Sequence, residues 1–353
     1  RPETFVEECR ALRRTRRKPA WVVVDEAQAV PAIFDGVQHL YDTDRSRFRF
    51  VLSGSSARKL RTSHANLLPG RSMLHRIFPL ALPERPPTGH AVSCTLLPRF
   101  NRTPVKAPFK PVDLEERLTF GDLPGIAVAN EKDRGALLHS YAYVYLEEEL
   151  RREALIKDWA SFARFLRLAS VESGAIVNYA SIGSEAGISA PTVKSHYQLL
   201  EDMFVGFHVP AYSGSARKHV LSTPRFVFFD LGVRHAAAGL SVSRATVLAN
   251  PGPVFEQWVG IELWRRIQYL GTGRLSYFRT KAGAEVDWII ENGRAVVPVE
   301  VKWTENPAAR DARHMSAFLA EHGRRAPMGY VVCRCPRPRL IAPRVMALPW
   351  WML

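Results

Sequence analysis

Two adjacent carboxylates, Asp25 and Glu26, directly follow the short apolar run at residues 21–24. A run of this length with β-branched members is typical of a buried strand in a parallel sheet. The next such run, residues 48–52, ends in the small polar sequence Ser53-Gly54-Ser55-Ser56. The carboxyl ends of parallel strands are where open α/β sheets bind ligands. The pattern therefore suits a site for a divalent cation and phosphate groups, and the alternative is that Asp25-Glu26 only begins a solvated loop.

A second group of chemically capable residues lies around Asn292-Gly293, which separates two apolar runs. Asn-Gly between such runs is a strong hairpin signal. With these two as the central turn residues, Asp287 lies opposite Pro298. Strand side chains alternate between faces, so one face collects the polar residues and the other the apolar ones. The polar face is Glu285, Asp287, Glu300 and Lys302, and the apolar face is Val286, Trp288, Ile290, Val297, Val299 and Val301.

Two interpretations of this polar face are open. A solvated face with one ion pair needs no ligand, since like charges opposite each other cost less than about 1 kcal/mol. The other interpretation is a Mg²⁺ site, because Mg²⁺ prefers oxygen ligands, and one or two carboxylates with a substrate phosphate suffice. Lys302 would then orient a water molecule or stabilise charge on the phosphate.

Asp287 followed by Glu300-Val301-Lys302 on the adjacent strand resembles the motif of the PD-(D/E)XK nuclease fold. Glu256, in the preceding sequence VFEQWVGIELWRR, matches that family's extra acidic position. The resemblance implies a restriction-endonuclease-like α/β domain over residues 250–353. It implies metal ligation by Asp287, Glu300 and Glu256 and a catalytic Lys302. Activity stays open, because many proteins of that fold have lost it.

Residues 21–84 resemble a prokaryotic AAA+ family ATPase. VVVDEAQ is similar to the Walker B segment, LSGSSARKL to the sensor-1 strand, and LLPGRSMLHRIFPLALPE to the segment that carries an arginine finger. The resemblance implies a partial P-loop NTPase (AAA+) domain with a parallel sheet over residues 1–84, ATP and Mg²⁺ as cofactors, and a homo-oligomer. The implied roles are Mg²⁺ binding for Asp25, water orientation for Glu26, γ-phosphate sensing for Ser53 or Ser55, and the arginine finger for Arg71.

No G-x-x-x-x-G-K-[ST] loop occurs in the 353 residues. The backbone N–H groups and the Lys of that loop cradle the phosphates of a bound nucleotide. The sequence also begins at Arg1 without Met. We therefore expect an N-terminally truncated product with an incomplete ATP site. Whether the loop was truncated or truly lost stays open.

Residues 85–158 form a predicted linker and helical segment. Residues 83–111 are rich in proline and basic residues, which is typical of a connector, and a helical pattern follows. The sequence GDLPG, followed by YVYLEEEL, resembles the start of an uncharacterised domain that follows the ATPase in the same family.

The sequence predicts a winged-helix domain over residues 159–240. Asn178 can cap a helix that ends before Gly187, and Ser189 can cap a second helix with Pro191 in its first turn. Two helices joined by a short Gly-containing turn have the helix-turn-helix geometry. Residues 207–212 and 225–230 then pair as a wing.

The formal charge of +15 and a pI near 10.0 favour DNA or another polyanion as a partner. The candidate contacts are Lys194 on the second helix and Arg217 and Lys218 in the wing. No arginine stands on that helix, although Arg to guanine is the commonest specific contact. Binding to the DNA backbone and a protein-contact role are therefore both open.

The remaining composition bounds the cellular setting. A chain of 353 residues allows two or three domains, so an α/β multidomain protein is expected. No apolar stretch reaches about 18 residues and no signal peptide opens the sequence, so no membrane association is expected. Four cysteines are too few for a disulfide framework, which favours the cytoplasm.

Two functions from different classes remain. The first is an AAA+ ATPase coupled to a DNA-associated C-terminal region. The alternative is a metal-dependent DNA nuclease, or a non-catalytic DNA-binding module, with a remnant ATPase part.

Overall fold

The fold is given by a computed structural model, which divides the chain into two units. The first unit is Arg1–Arg76 with Gln198–Val205, and the second is Ile77–Tyr197 with Gly206–Leu353. The described residues are 2–12, 18–54, 72–90, 92, 107–145, 148, 156, 158–213, 223–280 and 283–353.

The first unit contains a parallel pair of strands joined through a helix. Strand β1 (Ala20–Val24) pairs with β2 (Phe48–Leu52), with Val24 opposite Leu52. Helices α1 (Pro2–Ala11) and α2 (Ala32–Thr43) pack together. The buried residues of α2 recur every three positions, as expected for one buried helix face. They are Phe34, Val37 and Leu40.

Both helices of this unit cover the same face of the strand pair. Alternate strand residues such as Val22 and Phe50 pack against them. On the other face, Trp21 and Val23 are each 69% exposed. The expectation of a fully buried strand at residues 21–24 is therefore wrong for β1. The expectation followed from parallel strands that are covered on both faces, and α1 and α2 cover only one.

The second unit is rich in helices whose starts follow from local side-chain caps. Asp158, Asn178, Asp230 and Ser243 each accept a hydrogen bond from the backbone N–H three residues later. The helices are α3 (Leu114–Phe120), α4 (Pro124–Val128), α5 (Glu131–Ser140), a π-helical turn (Tyr141–Tyr145), α6 (Trp159–Val171), α7 (Tyr179–Ala186), α8 (Ala190–Asp202), α9 (Leu231–Ala237), α10 (Arg244–Ala249), α11 (Pro251–Leu270) and α12 (Arg313–His322).

Helices α7 and α8 lie where the sequence predicts them. Gly187 ends α7 with a left-handed φ of 73°, and the Ser189 hydroxyl accepts from the Thr192 N–H at 3.2 Å. The predicted strands follow as an antiparallel pair, β3 (Gly206–Val209) with β4 (Arg225–Phe228).

A six-stranded mixed sheet forms the C-terminal part of the second unit. Its order is β5-β6-β7-β8-β10-β9; β7, β8 and β10 run parallel to their neighbours among themselves, and the other pairs are antiparallel. Trp288 packs on the α11 side with Trp258, and Ile289 packs on the α12 side with Phe318. The strands are β5 (Arg274–Arg279), β6 (Glu285–Asn292), β7 (Ala295–Val301), β8 (Gly329–Cys333), β9 (Arg339–Ala342) and β10 (Val345–Pro349). No helix within the described ranges has the length and hydropathy needed to cross a bilayer.

The β6–β7 hairpin has a different register from the predicted one. Asn292 lies opposite Ala295, so Gly293 and Arg294 are the central turn residues. Gly293 has a φ of 59° and Asn292 has no positive φ. This fits a turn that needs φ > 0 only at its first central position, which is the Gly-X type rather than the Asn-Gly type. The shift is two residues, so the alternation of faces near the turn is preserved.

A β-bulge interrupts that alternation further along β6. Ser276 pairs with Ile289 and Phe278 with Val286, so the single residue Tyr277 faces both Asp287 and Trp288. As a result Val286 packs with Ile289 on the α12 side. The predicted apolar face, which placed Val286 with Trp288, is wrong at this point. The polar face fails with it, because the bulge separates Glu285 from the strict alternation.

A buried network of charges joins distant parts of the second unit. Asp122 pairs with Arg117 and with Arg265, whose Nη1 lies 3.3 Å from Asp122 Oδ2. Glu262 on α11 pairs with Arg266 at 2.7 Å. Both Glu262 oxygens accept from the Leu82 N–H at 3.1 Å. All these side chains are buried, so the network fixes residues 80–85, α3 and α11 against one another.

Gly121, which ends α3, provides a test of this packing. Its φ is 70°, and a Cβ there would lie 2.1 Å from Asp230 Oδ1. We expect Gly121→Ala to cost about 1–2 kcal/mol for the backbone and about 1–3 kcal/mol more for the overlap with Asp230. Gly89→Ala is the matched control, since Gly89 has a φ of 77° and no described atom within 4 Å of its Cβ position. Urea unfolding of both variants measures the difference, and equal losses would contradict the packing argument.

Candidate functional site

The carboxyl ends of β1 and β2 bring two of the predicted nucleotide-site residues together. Ser53 donates its N–H to Val24 O and accepts from the Ala27 N–H, both at 2.9 Å. These bonds hold the chain ends side by side, and the Ser53 hydroxyl donates to the Asp25 carboxylate. Asp25, Glu26 and Ser53 are exposed. The structure therefore places a carboxylate and a hydroxyl side by side at a sheet edge that is open to solvent.

Glu26 has an unusual backbone at this edge. Its φ and ψ of 51° and 42° are left-handed, which costs a residue with a Cβ roughly 1–2 kcal/mol. The Gln28 side-chain amide donates to the Glu26 carboxylate. Two further predicted residues, Ser55 and Arg71, lie outside the described residues.

The hairpin brings three predicted residues together in the second unit. Asp287 Oδ2 accepts from the Val301 N–H at 2.7 Å, across the β6–β7 pairing. Lys302 Nζ donates to Glu300 Oε1 at 2.6 Å. Asp287 is only 8% exposed and Glu300 only 7%. The interpretation of a solvated face is therefore wrong, because both carboxylates lie within the fold.

Burial dominates the electrostatics of this group. Loss of water raises the pKa of Asp287 well above its ordinary value, and the charges of Glu256 and Glu300 raise it further. Burial also raises the pKa of Glu300, although Lys302 opposes that shift. For Lys302, burial lowers the pKa, but pairing with Glu300 outweighs it and the pKa is raised. The three groups thus behave as one acidic cluster with a single cation.

One oxygen of the cluster has no visible role. Glu300 Oε2 is buried and has no hydrogen-bond partner among the described residues. A buried carboxylate oxygen without a partner carries a desolvation cost of roughly 1–3 kcal/mol or more. It is the feature of the hairpin that most directly invites a ligand.

The structure binds Glu256 differently from the prediction. Its Oε1 lies 2.7 Å from Arg225 Nη1, and the other Arg225 Nη pairs with Glu285. In the described part of the chain, no three His, Cys, Asp or Glu side chains gather in a way that could hold a metal ion. The predicted metal set Asp287, Glu300 and Glu256 therefore does not fit a metal as it stands. Its oxygens are already taken up by Arg225, Lys302 and the Val301 N–H, with Glu300 Oε2 as the exception.

Arg225 is the residue that sequence reasoning missed. It is 4% exposed and lies over the rings of Tyr277 and Trp288, at 4.8 and 5.4 Å from their centroids. The available signal was a single arginine at the head of the otherwise apolar stretch Phe226-Val227-Phe228. A cation in such a stretch is buried only when it is paired. His314, whose Nδ1 lies 3.4 Å from the Glu285 N, was also missed.

The predicted nucleic-acid residues receive little support. Lys194 Nζ lies 5.1 Å from the centroid of the Tyr179 ring, as in a cation–π contact within the protein. The hydroxyls of Thr192 and Ser195, which stand on the same helix, are engaged by Ser189 and by Pro191 O. Arg217 and Lys218 lie outside the described residues.

The raised pKa of Asp287 gives a test of the site's electrostatics. The folded protein binds a proton at Asp287 more tightly than the unfolded chain, so this contribution to stability is present at low pH and is lost as the pH rises through the folded-state pKa. Asn stays neutral and can still accept from the Val301 N–H. We therefore expect Asp287→Asn to gain stability over the wild type as the pH rises from about 4 to about 8. The measurement is urea unfolding at both ends of that range, with Asp133→Asn, at an exposed carboxylate, as the control. A deficit that does not change with pH would contradict a buried, protonated Asp287.

Three family models match parts of the chain. An AAA domain matches residues 2–85, a Domain of unknown function (DUF8612) matches residues 112–244, and a Domain of unknown function (DUF4143) matches residues 251–353. No solved structure is detectably similar to the chain.

Three relatives with the printed description of uncharacterized protein are similar over most of the chain. Those of Mycobacterium tuberculosis and Mycobacterium bovis are each 22% identical over 300 residues, which is 85% of this chain and 62% of theirs. That of Haemophilus influenzae is 23% identical over 297 residues, which is 80% of this chain and 65% of the relative. The chain thus spans less than two thirds of the length of each. The AAA match at one end and the DUF4143 match at the other support an AAA-family ATPase-like protein.

Proposed function

We propose that this chain contributes the carboxylate edge of the nucleotide site in an AAA-family ATPase. The observation that carries the proposal is the contact between Asp25 and Ser53 at the carboxyl ends of two parallel strands. Open parallel sheets bind ligands at this edge. The AAA match over residues 2–85 adds independent support for nucleotide binding in general.

Each residue at this edge would act on charge and water. The oxygens of Asp25 and Ser53 are exposed and suit a hard cation, so they fit Mg²⁺. Bound with ATP, Mg²⁺ would neutralise phosphate charge. Glu26 would orient the attacking water, and Ser53 or Ser55 would sense the γ-phosphate. Arg71 would reach the nucleotide of a neighbouring subunit, which makes a homo-oligomer part of the proposal.

DNA is the proposed partner of the second unit. The charge of +15 and the order of α7, α8, β3 and β4, which is that of a winged helix, favour it. Arg217 and Lys218 would bind phosphates, and Lys194 would lie on the helix nearest the duplex. Contacts of this kind carry affinity but little sequence information.

ATP hydrolysis tests the first proposal. No P-loop occurs in residues 1–353, so we expect them to hydrolyse ATP negligibly. In a form of the protein that includes a P-loop ahead of β1, we expect Mg²⁺-dependent hydrolysis. There Glu26→Gln should lower kcat by about 100-fold or more and largely spare ATP binding. Phosphate release and equilibrium binding of a fluorescent ATP analogue are the two measurements, with Glu84→Gln as the control. Strong hydrolysis by residues 1–353 alone, or full activity of Glu26→Gln, would refute the assignment.

A second candidate function, DNA cleavage at the hairpin, rests on the order of elements. Helix α11, the antiparallel strands β5–β7, helix α12 and the parallel strand β8 follow one another along the chain. This succession, with Asp287 and Glu300-x-Lys302 on neighbouring strands, supports a restriction-endonuclease-like domain. Lys302 Nζ is the group that would donate to a phosphate oxygen.

Plasmid nicking in the presence of Mn²⁺ tests this candidate. We expect slow nicking by the full chain and a loss of about 100-fold or more in Lys302→Ala, because the only cation beside Glu300 is then removed. Lys132→Ala, at an exposed lysine of α5, is the matched control and should nick at the wild-type rate. Equal nicking by both variants would assign the activity elsewhere.

A further inference from the structure

Arg225 is positioned by contacts from three sides. Its guanidinium lies between the rings of Tyr277 and Trp288 and pairs with Glu256 of α11 and Glu285 of β6. Both carboxylates remain partly exposed, at 29% and 34%, whereas the Arg225 side chain is 5% exposed. The arginine is therefore the buried member of a clamp whose acidic members reach toward solvent.

The strand that carries Arg225 is fastened to the neighbouring sheet by few bonds. The Tyr277 hydroxyl donates to Thr223 O at 2.7 Å, and the Tyr277 N–H donates to Pro210 O at 3.1 Å. Arg225 Nε is buried and has no hydrogen-bond partner among the described residues. The guanidinium thus uses two of its three nitrogens, and both of these serve the carboxylates.

The acidic groups near Arg225 outnumber the cations that face them. Lys302 serves Glu300, and Arg225 serves Glu256 and Glu285, with Arg279 3.9 Å from Glu285. Asp287 faces a backbone N–H, and Glu300 Oε2 faces no partner among the described residues. Oxygen ligands in such excess are what a hard divalent cation requires. Their failure to converge coincides with the diversion of Glu256 by Arg225.

We propose that Arg225 is a removable counter-ion, and that the hairpin binds a divalent cation through Asp287, Glu300 and Glu256 only when Arg225 is withdrawn. A guanidinium and a divalent cation compete for the same carboxylate oxygens, so either one satisfies Glu256. The inference goes beyond the proposed nucleotide role. It shares its residues with the second candidate function but does not require that the hairpin cuts DNA.

The test is calorimetric titration of Mn²⁺ into the full chain and its variants. Arg225→Met removes the charge and keeps a flexible apolar side chain between the Tyr277 and Trp288 rings. We expect it to bind one Mn²⁺ about tenfold or more tighter than the wild type, because Glu256 is released. The gain should vanish in the double variant Arg225→Met, Asp287→Asn. Arg244→Met is the matched control: Arg244 pairs with Asp113 instead, and this variant should bind Mn²⁺ like the wild type.

Two outcomes would overturn the proposal. The wild type would bind Mn²⁺ as tightly as Arg225→Met and in an Asp287-dependent way, or the variant's gain would be absent or would survive Asp287→Asn. If Arg225→Met does not fold, Arg225→Lys decides, because lysine lacks the planar fork that spans two carboxylates. A smaller gain is then expected, and no gain refutes the proposal. Metal binding by Arg225→Met without plasmid nicking would remove the second candidate function and leave this inference standing.

Discussion

The buried pairing of Asp122 with Arg117 and Arg265 is the interaction on which the second unit depends. Charges taken out of water cost several kcal/mol each unless their partners are in place. Residues 80–85, α3, α9 and α11 must therefore meet together, because each supplies a partner. Burial raises the pKa of Asp230 to about 6, and its carboxylate still accepts from the N–H groups of Asp122 and Val233.

The same network bears on how the chain is divided. The AAA match extends to residue 85, yet residues 77–85 belong to the second unit. Leu80 and Leu82 are held there by Arg265 and Glu262, which stand on the helix where the DUF4143 match begins. The boundaries of the matched families and of the structural units therefore differ at this segment. A change at the end of the AAA-like part would be felt directly by α11.

Much of the local structure could be predicted from the sequence, and the failures have identifiable causes. The capping residues Asn178 and Ser189 mark their helices because capping is a local interaction. The turn at Gly293 was misplaced by one residue, since Asn-Gly and Gly-Arg both satisfy a two-residue turn. The bulge at Asp287 leaves no mark in the sequence, because it depends on how β5 and β6 meet.

The candidate sites show the same division. The neighbourhood of Asp25 and Ser53 could be predicted, because parallel strands end at one edge. The pairing of Glu256 with Arg225 could not, since the two residues lie 31 positions apart and meet only through the packing of β4 on α11. Pattern reasoning finds which residues can do chemistry, but tertiary contacts decide which of them are already engaged.

Both candidate sites lie where the backbone departs from regular geometry. Glu26 is left-handed directly after β1, and Asp287 lies in the bulge of β6. Each irregularity turns a carboxylate away from the position that strict strand alternation would give it. Such departures persist only where surrounding contacts fix them. Ser53 and Ala27 do so in one case, and Val301 and Tyr277 in the other. At Asp25 the result is an exposed edge, where a cation need displace only water. At Asp287 it is a buried cluster in which a cation must displace an arginine, so the two sites differ in access more than in chemistry.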